Sequence, residues 1–185
     1  MKNKLNIIGL SGSLRKGSYN KILVKRIGEI VSKRENFEYI SLKDIPLYNE
    51  DLENENFPVS VKKLKTKVEE SDGIVIATPE YNGQMPGVLK NALDWTTRPA
   101  GQNSFDKKVL GIVGATPGGF GTIRAQNQLV LLASTLNMHI LHKPQIMLSK
   151  FHKKVNEEEK INDENTLEKL RNFVDDFLEF SKKYK

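Results

Sequence analysis

Cysteine is missing from all 185 residues, and with it go disulfide bridges, thiolate nucleophiles and cysteine-ligated metals. Histidine is scarce, with only His139, His142 and His152. The first two stand three apart on a segment that reads as a strand, so their side chains face opposite ways. The third falls in a charged irregular stretch. They make poor joint metal ligands, and no metal site or protein-borne catalytic residue is expected. Long apolar runs are absent as well. The opening one, Leu5 to Leu10, gives way to Ser11 too soon for a signal-peptide core or a membrane span. A soluble, cytoplasmic protein with no membrane partner is the expectation. There is also no internal repeat, low-complexity tract or linker, so residues 1–185 read as a single domain. The 29 basic and 23 acidic residues leave a formal charge of +6. No long block of like charge appears, and the densest stretch, 156–160, is acidic, which argues against nucleic acid as a partner.

What is present is concentrated where the first apolar run ends. Ser11-Gly12-Ser13-Leu14-Arg15-Lys16-Gly17-Ser18-Tyr19-Asn20 follows directly, and a helical pattern carrying Ile22, Leu23, Arg26, Ile27 and Ile30 begins at once. A strand, a loop of hydroxyls, glycines and cations, and a helix N-terminus together form a seat for one phosphate. Helix amides point outward with partial positive charge, and Ser11, Ser13, Ser18 and Asn20 add further hydrogen-bonding groups. Arg15 can supply a charge-assisted bond, about twice as strong as a neutral one. Three better-known loops do not fit. A dinucleotide fingerprint starting at Gly9 meets Ser11, a nucleoside-triphosphate loop meets Ser18 where lysine belongs after Gly17, and a nucleophile elbow meets Ser13 in place of its last glycine. The loop also reads, more plainly, as a polar strand-to-helix turn without a ligand.

Five apolar strand candidates, 4–10, 36–42, 73–78, 108–114 and 140–147, alternate with periodic helical segments near 19–34, 58–71, 86–97, 122–137 and 163–182. Such alternation implies a parallel sheet with helices on both faces. Periodicity alone leaves the strand order open. Segments 43–57 and 148–162 are the longest irregular stretches, and the second is charged enough to be expected mobile.

The third candidate strand runs into Pro79-Glu80-Tyr81-Asn82-Gly83-Gln84-Met85-Pro86-Gly87, with Pro86 at the start of a helix, a favoured place for proline. S-G-S-L-R-x-x-S-x-N at 11–20 and P-E-Y-N-x-x-x-P-G-x-L-K-N-A-L-D-W at 79–95 together resemble the NAD(P)H-dependent FMN reductases. That family of flavodoxin-like proteins includes quinone, azo-dye and chromate reductases. The resemblance implies an α/β flavodoxin-like three-layer sandwich with a five-stranded parallel sheet in the order 2-1-3-4-5. It implies bound FMN, NADPH or NADH as co-substrate, a small-molecule electron acceptor, and a homodimer or homotetramer with flavin sites near subunit interfaces. It places Ser11, Ser13, Leu14, Arg15, Ser18 and Asn20 at the FMN phosphate. Pro79, Glu80, Tyr81, Asn82 and Gly83 would run beside the ring, as would Thr116, Pro117, Gly118 and Gly119 of a third loop.

Each of these assignments has a plainer counterpart. Asn82-Gly83 is also an ordinary turn dipeptide, and the glycines of the third loop also suit a strand-to-helix turn. Trp95 reads as core, and Glu80 and Arg98 read either as surface charges or as groups bordering an interface. Two positions depart from the family pattern: Gln84 stands where serine is common, and Gly121-Thr122 precedes Arg124-Ala125-Gln126 where a glycine pair is common. Two other functions share the fold, a flavodoxin-type electron carrier and a flavin-binding sensor without turnover. Such carriers lack the P-E-Y-N-x-x-x-P-G segment.

Overall fold

The computed structural model describes residues 4–185. Five strands, β1 (Asn6–Ser11), β2 (Asn36–Ile40), β3 (Gly73–Ala77), β4 (Val109–Ala115) and β5 (His139–Leu148), pair in parallel in the order β2-β1-β3-β4-β5. The helices are α1 (Tyr19–Val31), α2 (Glu50–Glu55), α3 (Val59–Glu69), α4 (Gly87–Thr96), α5 (Ile123–Thr135) and α6 (Glu164–Lys183). Central β3 and β4 are buried at every position, as expected of parallel strands covered on both faces. Side chains alternate between two cores. Ile8, Ile74 and Leu110, which share one register line, face α3, α4 and α5. Ile7, Val75, Val109 and Val113 face α1 and α6, whose Leu23, Ile27, Phe173 and Phe177 are fully buried. Trp95 is core, with no exposed surface.

Two segments that read as irregular are built. Residues 43–57 contain α2, capped by Asn49 accepting from the Asp51 amide and carrying Glu50, Asp51 and Glu53 at its positive end. This helix buries no residue, so it has no apolar stripe to announce it. Its neighbours hold it down: Tyr48 and Phe57 meet Trp95 edge-on, and Trp95 Nε1 donates to the Pro46 carbonyl at 2.8 Å. Residues 148–162, expected to be mobile, are anchored by buried Phe151 and Ile161, the latter bridged to Val155. A one-turn 3-10 helix occupies Phe151–Lys153.

Candidate functional site

From β1 the chain moves to β2 on one side, while β3 takes the other side of β1. This reversal opens a crevice beyond the carboxyl ends of the strands. There the loops after β1, β3 and β4 bound a cleft of about 410 Å³, a size suited to a small-molecule ligand. Of the residues singled out from sequence, Ser13, Arg15, Ser18, Asn20, Pro79, Glu80, Tyr81, Thr116 and Pro117 line it. Ser11, Leu14, Asn82, Gly83, Gly118 and Gly119 do not. Tyr19 and Ala115 line it and were not anticipated, although each is signalled by position, at the first residue of α1 and the last of β4.

The loop after β1 presents unspent donors. Ser18 caps α1 by accepting from the Lys21 amide, which leaves the amides of Tyr19 and Asn20 without acceptors among the described residues. Ser11 Oγ is fully buried and also lacks a partner. Arg15 is exposed, and its guanidinium sits 5.4 Å from the centre of the Tyr19 ring. Asn20 has a task the sequence did not suggest. Its Nδ2 donates to the Ala115 carbonyl and its Oδ1 accepts from the Ala115 amide, both at 2.9 Å, so the start of α1 is stitched to the end of β4.

In the loop after β3, Tyr81 and Gln84 exchange backbone hydrogen bonds around Asn82 and Gly83, whose φ values are +52° and +74°. Positive φ at both central residues is the hairpin geometry that Asn-Gly favours. Tyr81 projects from it, 54% exposed. Gln84 accepts from Gln128 Nε2, and Gln128 Oε1 accepts from the Met85 amide, so this loop is tied to α5. Glu80 makes a second tie. Its carboxylate accepts from the Arg124 amide at 2.9 Å, lies at the N-terminus of α5, and pairs with the Arg124 guanidinium at 3.1 Å. The Glu80 carboxylate is therefore paired with a cation where it borders the cleft. Arg98 pairs with Glu53 at 2.7 Å. Both charges considered for an interface are thus already engaged within the chain.

The loop after β4 is laid against the exit of β5. Thr116 N–H donates to the Leu148 carbonyl, and the carbonyls of Thr116 and Gly118 accept from Phe151 and Lys150. Gly118 and Gly119 are exposed; a Cβ on Gly118 would meet only Thr116 Oγ1, at 3.6 Å, and one on Gly119 would meet nothing. Gly121 differs: its φ is +59°, and a Cβ would lie 2.7 Å from the Met147 backbone carbon. Gln126, buried beneath, donates toward the Gly121 carbonyl, Thr122 Oγ1 and the Ile146 carbonyl. Gly121 and Gln126 set the course of this loop and were missed as site residues. The histidines lie elsewhere: His139 stacks on Tyr184 at 3.8 Å, and His142 and His152 are exposed.

Comparison with known proteins agrees with this geometry. The sequence profile of the NADPH-dependent FMN reductases matches residues 5–153. An NAD(P)H-dependent FMN reductase of Pseudomonas aeruginosa is 42% identical over 149 residues, 80% of each chain. A quinone reductase of Escherichia coli is 36% identical over the whole of both chains. Among solved structures, a flavoenzyme NAD(P)H:(acceptor) oxidoreductase from Paracoccus denitrificans superposes with a TM-score of 0.89 at 35% identity, covering 97% of this chain and 98% of that one.

Proposed function

Because the chain belongs to the NADPH-dependent FMN reductase family, we propose that it is an FMN-dependent oxidoreductase passing electrons from NAD(P)H to quinones and similar small acceptors, with the three-loop cleft as the flavin site. One observation supports the phosphate end above others. The first two amides of α1 are unspent and belong to residues that line the cleft together with Arg15, which is the donor set a phosphate group requires. The pairing of the Glu80 carboxylate with Arg124 fits an anionic occupant as well.

When bound, FMN would supply the redox chemistry that links NAD(P)H to the acceptor. The chain's part is to bind and orient. Ser13, Arg15, Ser18 and the amides of Tyr19 and Asn20 would hold the phosphate. The amides of Asn82 and Gly83, which have no acceptor among the described residues, offer fixed dipoles at the loop beside the ring. Gln84 and Glu80 brace that loop against α5 so that these dipoles need not reorganise. The basic balance of the chain draws phosphorylated co-substrates toward it. In this reading residues 1–185 form one FMN-binding domain, working in the cytoplasm as a homodimer or homotetramer. Exposed Tyr81, Phe120 and Ile123 flank the Glu80–Arg124 contact and provide apolar surface for such an assembly.

The test is reconstitution followed by turnover. Protein loaded with FMN should oxidise NADPH or NADH in the presence of benzoquinone and naphthoquinone, and heat should release FMN. Release of FAD, or loaded protein that leaves NAD(P)H unoxidised, would overturn the proposal.

A further inference from the structure

The turn at 155–161 lies beyond the residues matched by the family profile and reaches back to the phosphate loop. Phe151 packs edge-on against Tyr19 at 5.5 Å, bringing the start of this segment beside the first residue of α1. Val155 bridges Ile161, and Asn156 closes the turn: its amide donates to the Lys160 carbonyl, and its Oδ1 accepts from the amides of Glu158 and Lys160. The turn holds Glu159 at a φ of +59°, an uncommon region for a residue with a long side chain. The result is a carboxylate delivered over Gly17. A Cβ on that glycine would lie 3.3 Å from Glu159 Oε1 and 4.0 Å from Arg15 Nη1. Arg15 therefore has an aromatic face at Tyr19 and an acid approaching from the side of Gly17.

We propose that Glu159 is a built-in counter-charge of the phosphate loop, setting how strongly that loop discriminates a phosphorylated flavin from the same flavin without phosphate. The inference rests on the cleft being the FMN site. With no phosphate present, Glu159 offsets part of the positive field of Arg15 and its neighbour Lys16. With phosphate present, the carboxylate becomes a like charge beside a dianion and lowers its affinity. An exposed charge pair of this kind changes an equilibrium by about two- to fivefold. Gly17 is part of the device, since a side chain there would press against the Glu159 carboxylate.

The experiment measures FMN and riboflavin affinity by quenching of flavin fluorescence in the wild type, Glu159→Gln and Glu157→Gln. Both residues belong to an exposed turn, so folding is not at stake. The expected result is a two- to fivefold tighter FMN complex for Glu159→Gln, no change for riboflavin, and a smaller effect for Glu157→Gln, which removes the same charge from the same turn. FMN affinity unchanged or weakened in Glu159→Gln, an equal gain for riboflavin, or an equal gain in Glu157→Gln overturns the role of Glu159. A wild type that binds FMN and riboflavin equally well would instead overturn the phosphate site itself.

Discussion

Asn20 is the residue whose replacement says most about how the cleft is built. Its side-chain amide mimics a neighbouring strand, giving one hydrogen bond to the Ala115 carbonyl and taking one from the Ala115 amide, both at 2.9 Å. Asn20→Ala removes both partners from a buried peptide group. An unsatisfied buried donor or acceptor costs roughly 1–3 kcal/mol, and two are created at once. Ala115 borders the cleft, so water can reach it in part, which brings the expectation down to about 2–4 kcal/mol for the pair. Asn20→Asp dissects the two halves. The carboxylate can still accept from the Ala115 amide but faces the Ala115 carbonyl with a negative oxygen, and it adds an anion beside the phosphate seat. Urea unfolding of the FMN-free protein reads the stability term, and flavin titration reads the site. Asn20→Ala should lose stability and weaken FMN and riboflavin alike, because the third loop loses its tether. Asn20→Asp should weaken FMN more than riboflavin. An Asn20→Ala protein within about 0.5 kcal/mol of wild type, the scatter of neutral surface substitutions, would refute the reasoning.

Arg15→Ala should weaken FMN by about 1.5–3 kcal/mol, the scale of a hydrogen bond to a charged group, with riboflavin much less affected; equal losses for both flavins would place Arg15 outside the phosphate site. Steady-state rates at varied NADPH and quinone should give parallel double-reciprocal lines for several quinones, since among the described residues no long insertion follows β1, β3 or β4 to cover the cleft; intersecting lines, or activity with one acceptor alone, would point to a shaped pocket. Asp163, the N-cap of α6, is held down to about 2 from its usual 3.8, first by its hydrogen bond from Lys154 and then by those from Thr166. A depressed carboxylate stabilises the fold above its unfolded value and loses that contribution as pH falls from 3.8 toward about 2. Asp163→Asn should keep the cap yet flatten the fall in urea midpoint across that window, and an unchanged slope would count against the assignment.

The strands and five of the helices were legible because each carries its own periodicity. The strand order was not, because pairing between β1 and β3 is a relation between segments far apart in the chain. The two motifs settled that order only through resemblance, and the sheet has the order they implied. Alpha2 was invisible for a physical reason: it buries no apolar residue and is held by its N-cap, by the pairing of Glu53 with Arg98, and by its neighbours' contacts with Trp95. The segment 148–162 looked mobile because its charges outnumber its apolar residues, yet Phe151 and Ile161 suffice to fasten it. Lys65 shows the opposite failure. Nothing in the residues around it sets it apart from the other lysines, but it is buried, and its ammonium is spent on the carbonyls of Thr96 and Gln102 and on Ser104 Oγ. Burial there pulls its pKa down from the usual lysine value.

The candidate site shows what a motif can and cannot announce. Residue types suited to a phosphate were visible at 11–20, where Ser13, Arg15, Ser18 and Asn20 line the cleft, whereas Pro79, Glu80, Tyr81, Thr116 and Pro117 were named through the family resemblance. Partnerships were not visible, because Asn20 meets Ala115 and Glu80 meets Arg124 across long stretches of chain. Yet those partnerships explain why such residues suit the motif. Asn20 joins the first loop to the end of β4, and Glu80 joins the second loop to α5, while Gln126 ties the third loop to β5. Each loop is short, polar and largely without a core of its own, so none could hold its donors still in isolation. Binding a flat ligand across three such loops requires that they be fastened to one another first. Part of what reads as a cofactor motif in this chain is therefore the fastening, and substitutions there should disturb flavin binding even where the side chain never touches the flavin.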